Sequence, residues 1–298
     1  MEYTEFRQID EFGDHEGRVE SVCFFPDSER FLSTSEGELF LWNVYHRKKI
    51  FQYTLEDRAR TLAVEPDSKR FIAGIESGGV RFWEVEEKEF RFQLGYKEGD
   101  VHFLQIHPKG QILALCEENR LELYHILTAQ RQLLEVFPAE KLSAFAWAPK
   151  GHHYLTGDSE GYLTLWELES FKKAWQIYEN GLAIEAVDIH FNNEYLLSHQ
   201  DEVLLLRFLG NGALVGEMVG HEGKIRWARF DPLGLFAISA SFGREGDYTV
   251  RIFELATQRE VIMLEAEDMS CFTVSPDGKY FVAGTTEGTL LLFGPRHA

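Results

Sequence analysis

A short sequence pattern occurs seven times in this chain of 298 residues, and this repeat constrains the fold more than any other feature. Each copy has an apolar run that leads into a turn, as in Phe24-Phe25-Pro26-Asp27. The first residues of the seven turns are Pro26, Pro66, Pro108, Pro149, Phe191, Pro232 and Pro276, at intervals of 40 to 44 residues. A fixed period of this size is typical of folds that stack similar supersecondary units.

A second column of residues has the same period and predicts the type of unit. An aromatic residue ends a run of alternating side chains in each copy, at Trp42, Trp83, Tyr124, Trp166, Phe208, Phe253 and Phe293. Alternation between turn residues predicts strands. The first copy is predicted to contain strand a at about 18–25, strand b at 30–34, strand c at 38–44 and strand d at 48–54. The sequence therefore predicts an all-β chain with four strands in each copy.

Strand a is predicted to be buried in every copy. The position seven residues before the turn is apolar throughout, with Val19, Ala59, Val101, Leu142, Ile184, Ile225 and Met269. The last copy has no fourth strand, whereas Thr4–Ile9 is a strand-like segment that precedes the first copy. We expect the N-terminal segment to complete the seventh unit, because this pairing removes an exposed strand edge.

With this period, four strands per copy and an aromatic at the end of strand c, the chain resembles the WD-repeat β-propeller family over essentially its whole length. The signature dipeptides are degenerate. Trp-Asp is present as Trp42-Asn43 and Trp166-Glu167, and Gly-His is complete only at Gly220-His221, with a partial match at Asp14-His15. The resemblance implies a seven-bladed β-propeller of four-stranded antiparallel blades, closed by the N-terminal strand.

The resemblance also implies how the chain is divided into blades. We expect one propeller domain over residues 1–298. Its blades are expected at 14–56 (blade 1), 57–99 (blade 2), 100–140 (blade 3), 141–180 (blade 4), 181–223 (blade 5), 224–268 (blade 6) and 269–298 plus 1–13 (blade 7).

Members of this family often stabilise each blade with a hydrogen-bond network of His, Ser or Thr, Trp and Asp. Blade 1 keeps part of this set in His15, Ser33 and Trp42. Blade 6 has His221 and Ser239 but carries Phe253 in place of Trp, and the other blades lack the set. We therefore expect hydrophobic packing to supply most of the cohesion.

Composition limits the location and partners of the chain. The formal net charge of −19 disfavours binding to nucleic acid and to anionic membrane surfaces. The three cysteines, Cys23, Cys116 and Cys271, are scattered without metal-ligand spacing, which is typical of a reducing compartment. The chain starts without signal-peptide features and has no apolar run of about 20 residues. We expect a cytoplasmic protein, with the nucleus as an alternative.

The family resemblance implies a non-enzymatic interaction scaffold or sensor module that binds peptide or loop segments of a protein partner on the top face. No cofactor, metal, catalytic residue or small-molecule substrate is expected, and the partners are expected to be proteins, including subunits of a larger complex. Two alternatives stay open. One is a propeller-type hydrolase or lactonase with a channel site. The other is a structural subunit held through blade edges that carry Phe51, Tyr53, Phe90, Phe92 and Trp175.

In this family the segments that lead into strand a and the b–c turns share the top face. Charged residues flank the start of strand a in most copies. They are Arg18, Glu20, Arg58, Arg60, Asp100, His102, Lys141, Glu185, Lys224, Arg226 and Asp268. The b–c turns carry Glu36, Ser77, Glu118, Glu160, Glu202, Asp247 and Glu287. Either these two sets neutralise each other, or they form a mixed-charge docking ring that reads a partner by its charge pattern.

Blade 6 interrupts the repeat. From turn residue to aromatic it spans 21 residues, compared with 16 or 17 in the other copies, and the excess lies at 241–248 in the b–c loop. Phe, Tyr and Arg on a glycine-containing loop are common binding hot spots. The predicted partner-binding residues are Arg18, Arg58, Arg60, Lys141, Lys224, Arg226, Phe242, Arg244 and Tyr248.

Two short motifs do not indicate catalysis or metal binding. Gly157-Asp158-Ser159-Glu160-Gly161 matches the G-x-S-x-G nucleophile pattern, but it falls on a predicted b–c turn with no helix after it. His152-His153 has no third ligand at suitable spacing.

Overall fold

The computed structural model describes residues 3–13, 15–55, 57–94, 101–117, 119–138 and 141–295, and the side chain of Phe92 is not described. Within these residues the chain forms 28 strands in seven four-stranded antiparallel sheets, together with one short 3-10 turn at Tyr3–Glu5. This is the predicted fold class, a seven-bladed β-propeller. No helix in the described parts is long and apolar enough to cross a membrane.

The strands follow the chain in blade order, and four consecutive strands form each of the first six blades. Those of blades 1 to 3 are β2 (Ser21–Phe24), β3 (Arg30–Ser35), β4 (Glu38–Asn43), β5 (Lys48–Thr54), β6 (Ala59–Val64), β7 (Arg70–Ile75), β8 (Val80–Glu84), β9 (Glu89–Leu94), β10 (Val101–Ile106), β11 (Ile112–Glu117), β12 (Arg120–His125) and β13 (Gln130–Val136). Those of blades 4 to 6 are β14 (Leu142–Trp147), β15 (His153–Asp158), β16 (Tyr162–Glu167), β17 (Lys173–Tyr178), β18 (Asp188–Ile189), β19 (Tyr195–Gln200), β20 (Val203–Phe208), β21 (Leu214–Met218), β22 (Ile225–Phe230), β23 (Phe236–Ser241), β24 (Thr249–Glu254) and β25 (Arg259–Glu265).

Blade 7 combines the two ends of the chain. It contains β26 (Met269–Val274), β27 (Phe281–Thr285) and β28 (Thr289–Pro295), and its fourth strand is the N-terminal β1 (Phe6–Gly13). Strand β1 pairs antiparallel with β28, from Phe6 opposite Pro295 to Gly13 opposite Thr289. The prediction that the N-terminal segment completes the seventh blade is confirmed, and the strand extends beyond Ile9 to Gly13.

The apolar column at the start of strand a is buried in every blade, as the sequence predicts. All seven of its residues, from Val19 to Met269, are at most 1% exposed. Neighbouring blades pack through such residues. Between blades 1 and 2, Leu41 and Tyr53 lie in one buried cluster with Phe71 and Trp83. The ring of Phe71 stacks on Trp83 at 5.3 Å, which adds aromatic contact to the burial.

The described chain divides into two compact units. One unit contains blades 4, 5 and 6, and the other contains blades 7, 1 and 2 with most of blade 3. In each blade, one end carries the a–b turn and the other carries the b–c turn together with the segment that leads into strand a. We call these the a–b end and the b–c end of a blade.

Candidate partner-binding site

A carboxylate lies between two basic side chains at the b–c ends of blades 5 and 6. Glu185 precedes β18, and it pairs with Arg226 on β22 and with Lys224, whose Nζ lies 3.4 Å from Glu185 Oε1. Arg226 Nη2 also lies 3.9 Å from Glu245 Oε2 in the blade 6 b–c loop. We call Glu185, Lys224, Arg226 and Glu245 the Glu185 cluster.

A similar group occurs at the b–c ends of blades 1 and 2. Glu20 pairs with Arg58, and Nη1 of Arg60 and Nε of Arg18 each lie 3.9 Å from Glu20 Oε2. Arg60 also pairs with Glu76. We call these five residues the Glu20 cluster. Only 8% of the Glu20 side chain is exposed, compared with 22% for Glu185, so the Glu20 carboxylate depends more on its cations.

These clusters account for most of the charged residues that the sequence places at the start of strand a. Arg58, Arg60, Lys224 and Arg226 are all within 4 Å of a carboxylate. From the sequence, the b–c turn carboxylates are one expected source of this neutralisation. Two carboxylates of b–c turns do take part, since Glu76 pairs with Arg60 and Glu36 lies 4.0 Å from Arg58. The other partners, Glu20 and Glu185, belong to the charged set at the start of strand a. Asp100 and Glu118 lie outside the described residues.

The blade 6 b–c loop, residues 242–248, is held by backbone hydrogen bonds at its middle and at its last residue. Lys224 N–H donates to the carbonyl of Glu245 at 2.8 Å, and Ala266 N–H donates to that of Tyr248 at 2.8 Å. A tight turn inside the loop closes between Gly243 and Gly246, where Gly246 N–H donates to Gly243 O at 3.0 Å. Gly243 has a φ of 79°, a conformation that glycine adopts without a steric penalty.

Asp247 fixes the end of this loop to the blade. Its carboxylate accepts hydrogen bonds from Glu222 N–H at 2.8 Å and from Thr249 Oγ1 at 2.7 Å, and His221 Nδ1 lies 3.1 Å away. His221 Nε2 contacts Ser239 Oγ at 2.9 Å. Burial raises the pKa of Asp247, but the hydrogen bonds from His221 and Thr249 outweigh burial and hold that pKa well below its usual range. Blade 6 therefore has a fuller network than the sequence analysis assigned to it.

The loop leaves its predicted contact residues at different depths. Arg244 is exposed, whereas Phe242 and Tyr248 are half-buried. No carboxylate among the described residues lies within 4 Å of the Arg244 guanidinium. Of the other predicted cations, Lys141 is exposed in blade 4 without such a carboxylate among the described residues, and Arg18 is about half exposed at the edge of the Glu20 cluster.

Blade 1 forms the network predicted from the sequence. His15 Nε2 lies 2.7 Å from Ser33 Oγ, and Trp42 Nε1 donates to the same oxygen at 2.8 Å. In blade 4, which has no equivalent histidine in its described residues, Trp166 Nε1 donates to Thr156 Oγ1 at 2.9 Å.

In blade 5, the prediction that Phe208 belongs to the aromatic column is wrong. Phe208 is 46% exposed, and Arg207 is the buried residue at the end of β20. The bulge before Arg207 matches the bulge before Trp42 in blade 1. Arg207 Nε donates to Ser198 Oγ at 3.3 Å, Nη1 donates to Gly212 O at 2.9 Å, and Nη2 pairs with Glu179 at 2.5 Å. Arginine therefore takes the place of tryptophan here. The matching nine-residue spacings Ser33–Trp42 and Ser198–Arg207 are the sequence signal that could have identified it.

Strand a of blade 5 is only two residues long, and a side chain takes the place of one backbone acceptor in the segment before it. In blade 1, Glu20 N–H donates to the carbonyl of Thr34 at 2.8 Å. In blade 5, Glu185 N–H donates instead to Nε2 of His199 at 2.8 Å, and His199 Nδ1 lies 3.2 Å from the carbonyl of Asp201. Burial lowers the pKa of His199 to about 4, so the ring is neutral and can accept this bond.

In the G-x-S-x-G motif, Gly157 and Asp158 end β15, residues 159–161 form the turn to β16, and no helix follows. His152 lies in the a–b turn, and His153 is the first residue of β15. No group of three or more His, Cys, Asp or Glu side chains within the described ranges could hold a metal ion.

The aromatics assigned to the blade edges differ in exposure. Phe90 is 51% exposed, but Tyr53 is buried, and Phe51 and Trp175 are half-buried. Trp175 packs inward because its Nε1 donates to Leu209 O at 2.7 Å. Phe90 borders a cleft of about 260 Å³ with Thr54, Arg81, Trp83 and Gln93. The side chain of Phe92, the fifth of the predicted blade-edge aromatics, lies outside the described part of the structure.

Comparisons with known proteins agree with this fold. The family model "WD domain, G-beta repeat" matches residues 6–43. The chain is 22% identical to pre-mRNA-processing factor 19 of Schizosaccharomyces pombe over 66% of its length, and 20% identical to periodic tryptophan protein 2 of Saccharomyces cerevisiae over 95%. It is 24% identical over 53% to telomerase protein component 1 of Rattus norvegicus. The chain covers 39%, 39% and 6% of these proteins, respectively. Together with the seven blades, these matches support the resemblance to the WD-repeat β-propeller family.

Proposed function

We propose that this protein is a non-enzymatic interaction scaffold whose main contact with a protein partner is the b–c loop of blade 6. WD-repeat proteins of this kind are typically protein-interaction scaffolds in complexes. One relative is by name a telomerase component, which supports a role within an assembly. The observation that carries the proposal is the anchored loop with its exposed arginine.

The loop has the properties of a preorganised binding element. Its backbone is fixed by the hydrogen bonds of Glu245, Asp247 and Tyr248, so little conformational entropy is lost when a partner binds. Arg244 is a cation without a carboxylate nearby in the described structure, and Phe242 lies two residues before it. An arginine beside aromatic side chains is a frequent hot-spot combination.

The same geometry narrows the chemistry of the partner. The cations of the Glu20 and Glu185 clusters are already paired with carboxylates. They therefore attract an acidic group of the partner less strongly than Arg244 does. We infer that the partner segment places an acidic residue against Arg244 and an apolar side chain against Phe242. Arg58, Arg60, Lys224 and Arg226 then have mainly structural roles, and Lys141 and Arg18 lie outside the main contact.

The test is affinity purification with mass spectrometry from native cells, using the wild type and a Phe242→Ala/Arg244→Glu variant. These substitutions leave Asp247 and the backbone anchors of the loop in place. We expect a stoichiometric partner that is recovered by the wild type and lost from the variant. The matched control is Tyr45→Ala/Lys69→Glu, which changes an exposed aromatic and an exposed cation in blades 1 and 2. Equal partner recovery by the loop variant would refute the site.

A further inference from the structure

The a–b turns of blades 5 and 6 expose apolar side chains where the other blades carry proline or polar residues. Phe191 takes the position of a proline that is present in the other six copies. Leu233 aligns with Asp27, Asp67, Lys109, Lys150, Asn192 and Asp277, and Leu235 aligns with Glu29, Lys69, Gln111, His152, Glu194 and Lys279. Phe191, Leu233 and Leu235 are 57%, 53% and 55% exposed. Such exposure on two adjacent turns is uncommon unless the surface has a partner.

The two turns touch, so these residues form one surface. His190 Nε2 lies 3.1 Å from the carbonyl of Gly234, and the rings of His190 and Phe191 are 4.5 Å apart. Gly234 has a φ of 65°, and a Cβ at this position would lie 2.4 Å from Cε1 of Phe191. The Phe191 ring therefore lies directly against the turn that carries Leu233 and Leu235.

The blade 6 turn is rigid even though its side chains are exposed. Asp231 is buried, and its carboxylate accepts hydrogen bonds from the N–H groups of Leu233 at 3.2 Å, Leu235 at 2.6 Å and Phe236 at 2.8 Å. These hydrogen bonds fix the backbone that carries both exposed leucines.

A cleft with basic groups adjoins this apolar surface on the blade 4 side. It has a volume of about 300 Å³, and its apolar lining includes Leu165 and Leu209. Lys150, His152 and His153 also border it. The Lys150 ammonium donates to the carbonyl of Asn192 at 3.2 Å, beside Phe191, and no described carboxylate lies within 4 Å of it.

We propose that the a–b ends of blades 4, 5 and 6 form a second docking surface, which binds a protein segment with apolar side chains next to a carboxylate. The apolar side chains would cover Phe191, Leu233 and Leu235, and the carboxylate would enter the cleft beside Lys150. This surface lies at the opposite end of the blades from the b–c loop and does not depend on the partner proposed there.

The net charge of the chain favours an acidic protein segment over two other possible ligands of this surface, a second copy of the chain and an anionic membrane. A second copy of the chain or an anionic membrane would bring further negative charge to a protein whose net charge is already −19. A short acidic segment brings little charge in total and places it next to Lys150. One carboxylate, Glu194, lies on the blade 5 turn and accepts a hydrogen bond from Asn192 Nδ2 at 2.9 Å. Glu194→Gln is therefore expected to strengthen binding of acidic peptides.

The test uses a displayed library of random 12-residue peptides selected on the immobilised full chain. Enriched peptides are synthesised, and their affinities are measured by fluorescence anisotropy. We expect enriched peptides that combine Leu, Ile or Phe with Asp or Glu. Leu233→Ser/Leu235→Ser should weaken their binding about tenfold or more, and Lys150→Glu should weaken it several-fold.

Two controls keep the proposal falsifiable. Leu127→Ser/Val136→Ser changes two apolar residues of blade 3 that are 77% and 57% exposed, and it should leave peptide affinity unchanged. Phe242→Ala/Arg244→Glu should also leave it unchanged, which separates this surface from the b–c loop. The proposal is overturned if no peptide is enriched, if the enriched peptides are basic, or if they bind Leu233→Ser/Leu235→Ser equally well. It is also overturned if sedimentation shows a dimer that this variant abolishes.

Discussion

The Glu20 and Glu185 clusters use the same positions of the repeat but differ in burial and in what surrounds them. In each, a glutamate six residues before the turn of one blade meets basic residues eight and six before the turn of the next. Glu20 is nearly buried and faces three arginines, whereas Glu185 is more exposed and faces one lysine and one arginine. The Glu20 cluster is thus suited to hold two blades together. The Glu185 cluster also connects to the inserted loop through Glu245.

The backbone beside each glutamate differs as well. A main-chain carbonyl, that of Thr34, receives the N–H of Glu20, but a histidine ring receives the N–H of Glu185. A carbonyl accepts hydrogen bonds at any pH near neutrality, whereas an imidazole loses this acceptor when it is protonated. The contact at Glu185 N–H should therefore be lost in acid, whereas the equivalent contact at Glu20 N–H should not be.

The largest expected effect is the loss of the buried carboxylate. Glu20→Gln should lower the free energy of unfolding by about 3 kcal/mol, because Arg58 and Arg60 are left without their shared counter-charge. Glu185→Gln should cost about 1 kcal/mol, since the Glu185 side chain is more exposed than that of Glu20 and has two cations nearby where Glu20 has three. Urea unfolding of both variants measures the difference. Equal losses would contradict the contrast in burial.

The next effect is the dependence of stability on pH. Folding lowers the pKa of His199 from 6.5 to about 4, so the stability that depends on its neutral ring is complete above pH 6.5 and is lost as the pH falls toward 4. Between pH 7 and pH 5 this loss should reach about 2 kcal/mol. His199→Gln keeps an acceptor for Glu185 N–H but does not titrate, so its stability should fall less over the same range. Urea unfolding at the two pH values tests this, and parallel losses in both proteins would exclude His199 as the cause.

Most of the fold could be predicted from the sequence, because the turn column and the period-two alternation depend on local spacing. The strands β2 to β5 lie within a few residues of their predicted ranges. Arg207 was missed because an aromatic neighbour, Phe208, fits the column equally well in sequence. Only the bulge in β20 decides which of the two faces inward.

The candidate site was harder to predict than the fold. The basic residues were found by their register, but their partners were assigned to the b–c turns of the same region. In the structure, the start of strand a in one blade lies beside the start of strand a in the next blade. Charges from consecutive copies therefore meet, as with Glu20 and Arg58, which are separated by 38 residues. A search for opposite charges one repeat apart could have found both clusters. No comparable sequence signal predicts how deeply the side chains of the inserted loop are buried. Their burial depends on how Asp247 and Glu245 anchor the backbone.

A smaller effect on the free energy of unfolding is expected from Glu76 and Glu245, the more exposed carboxylates of the two clusters. Glu76→Ala should lower the free energy of unfolding by about 1 kcal/mol, because its side chain is 39% exposed and pairs closely with Arg60. Glu245→Ala should lower it by less than about 0.5 kcal/mol, since this side chain is 68% exposed and 3.9 Å from Arg226. Lys224 N–H still bonds to the backbone carbonyl of residue 245, so hydrogen exchange of the loop amides should change little. Faster exchange throughout 242–248 would show that the side chain orders the loop.

A further small effect concerns the identity of the cation. Arg58 Nη2 pairs with Glu20 and lies 4.0 Å from Glu36. A guanidinium is less strongly hydrated than the ammonium that a lysine would place beside the nearly buried Glu20 carboxylate. Lys224 makes one contact at 3.4 Å in the equivalent position, and a point charge suffices for it. Arg58→Lys should therefore lower the free energy of unfolding by about 0.5–1 kcal/mol, whereas Lys224→Arg should change it by less than about 0.5 kcal/mol. Urea unfolding of the two single variants beside the wild type measures both values. If Lys224→Arg lowers the free energy of unfolding as much as Arg58→Lys does, both clusters are equally sensitive to the type of cation. The difference between the clusters then lies in burial alone.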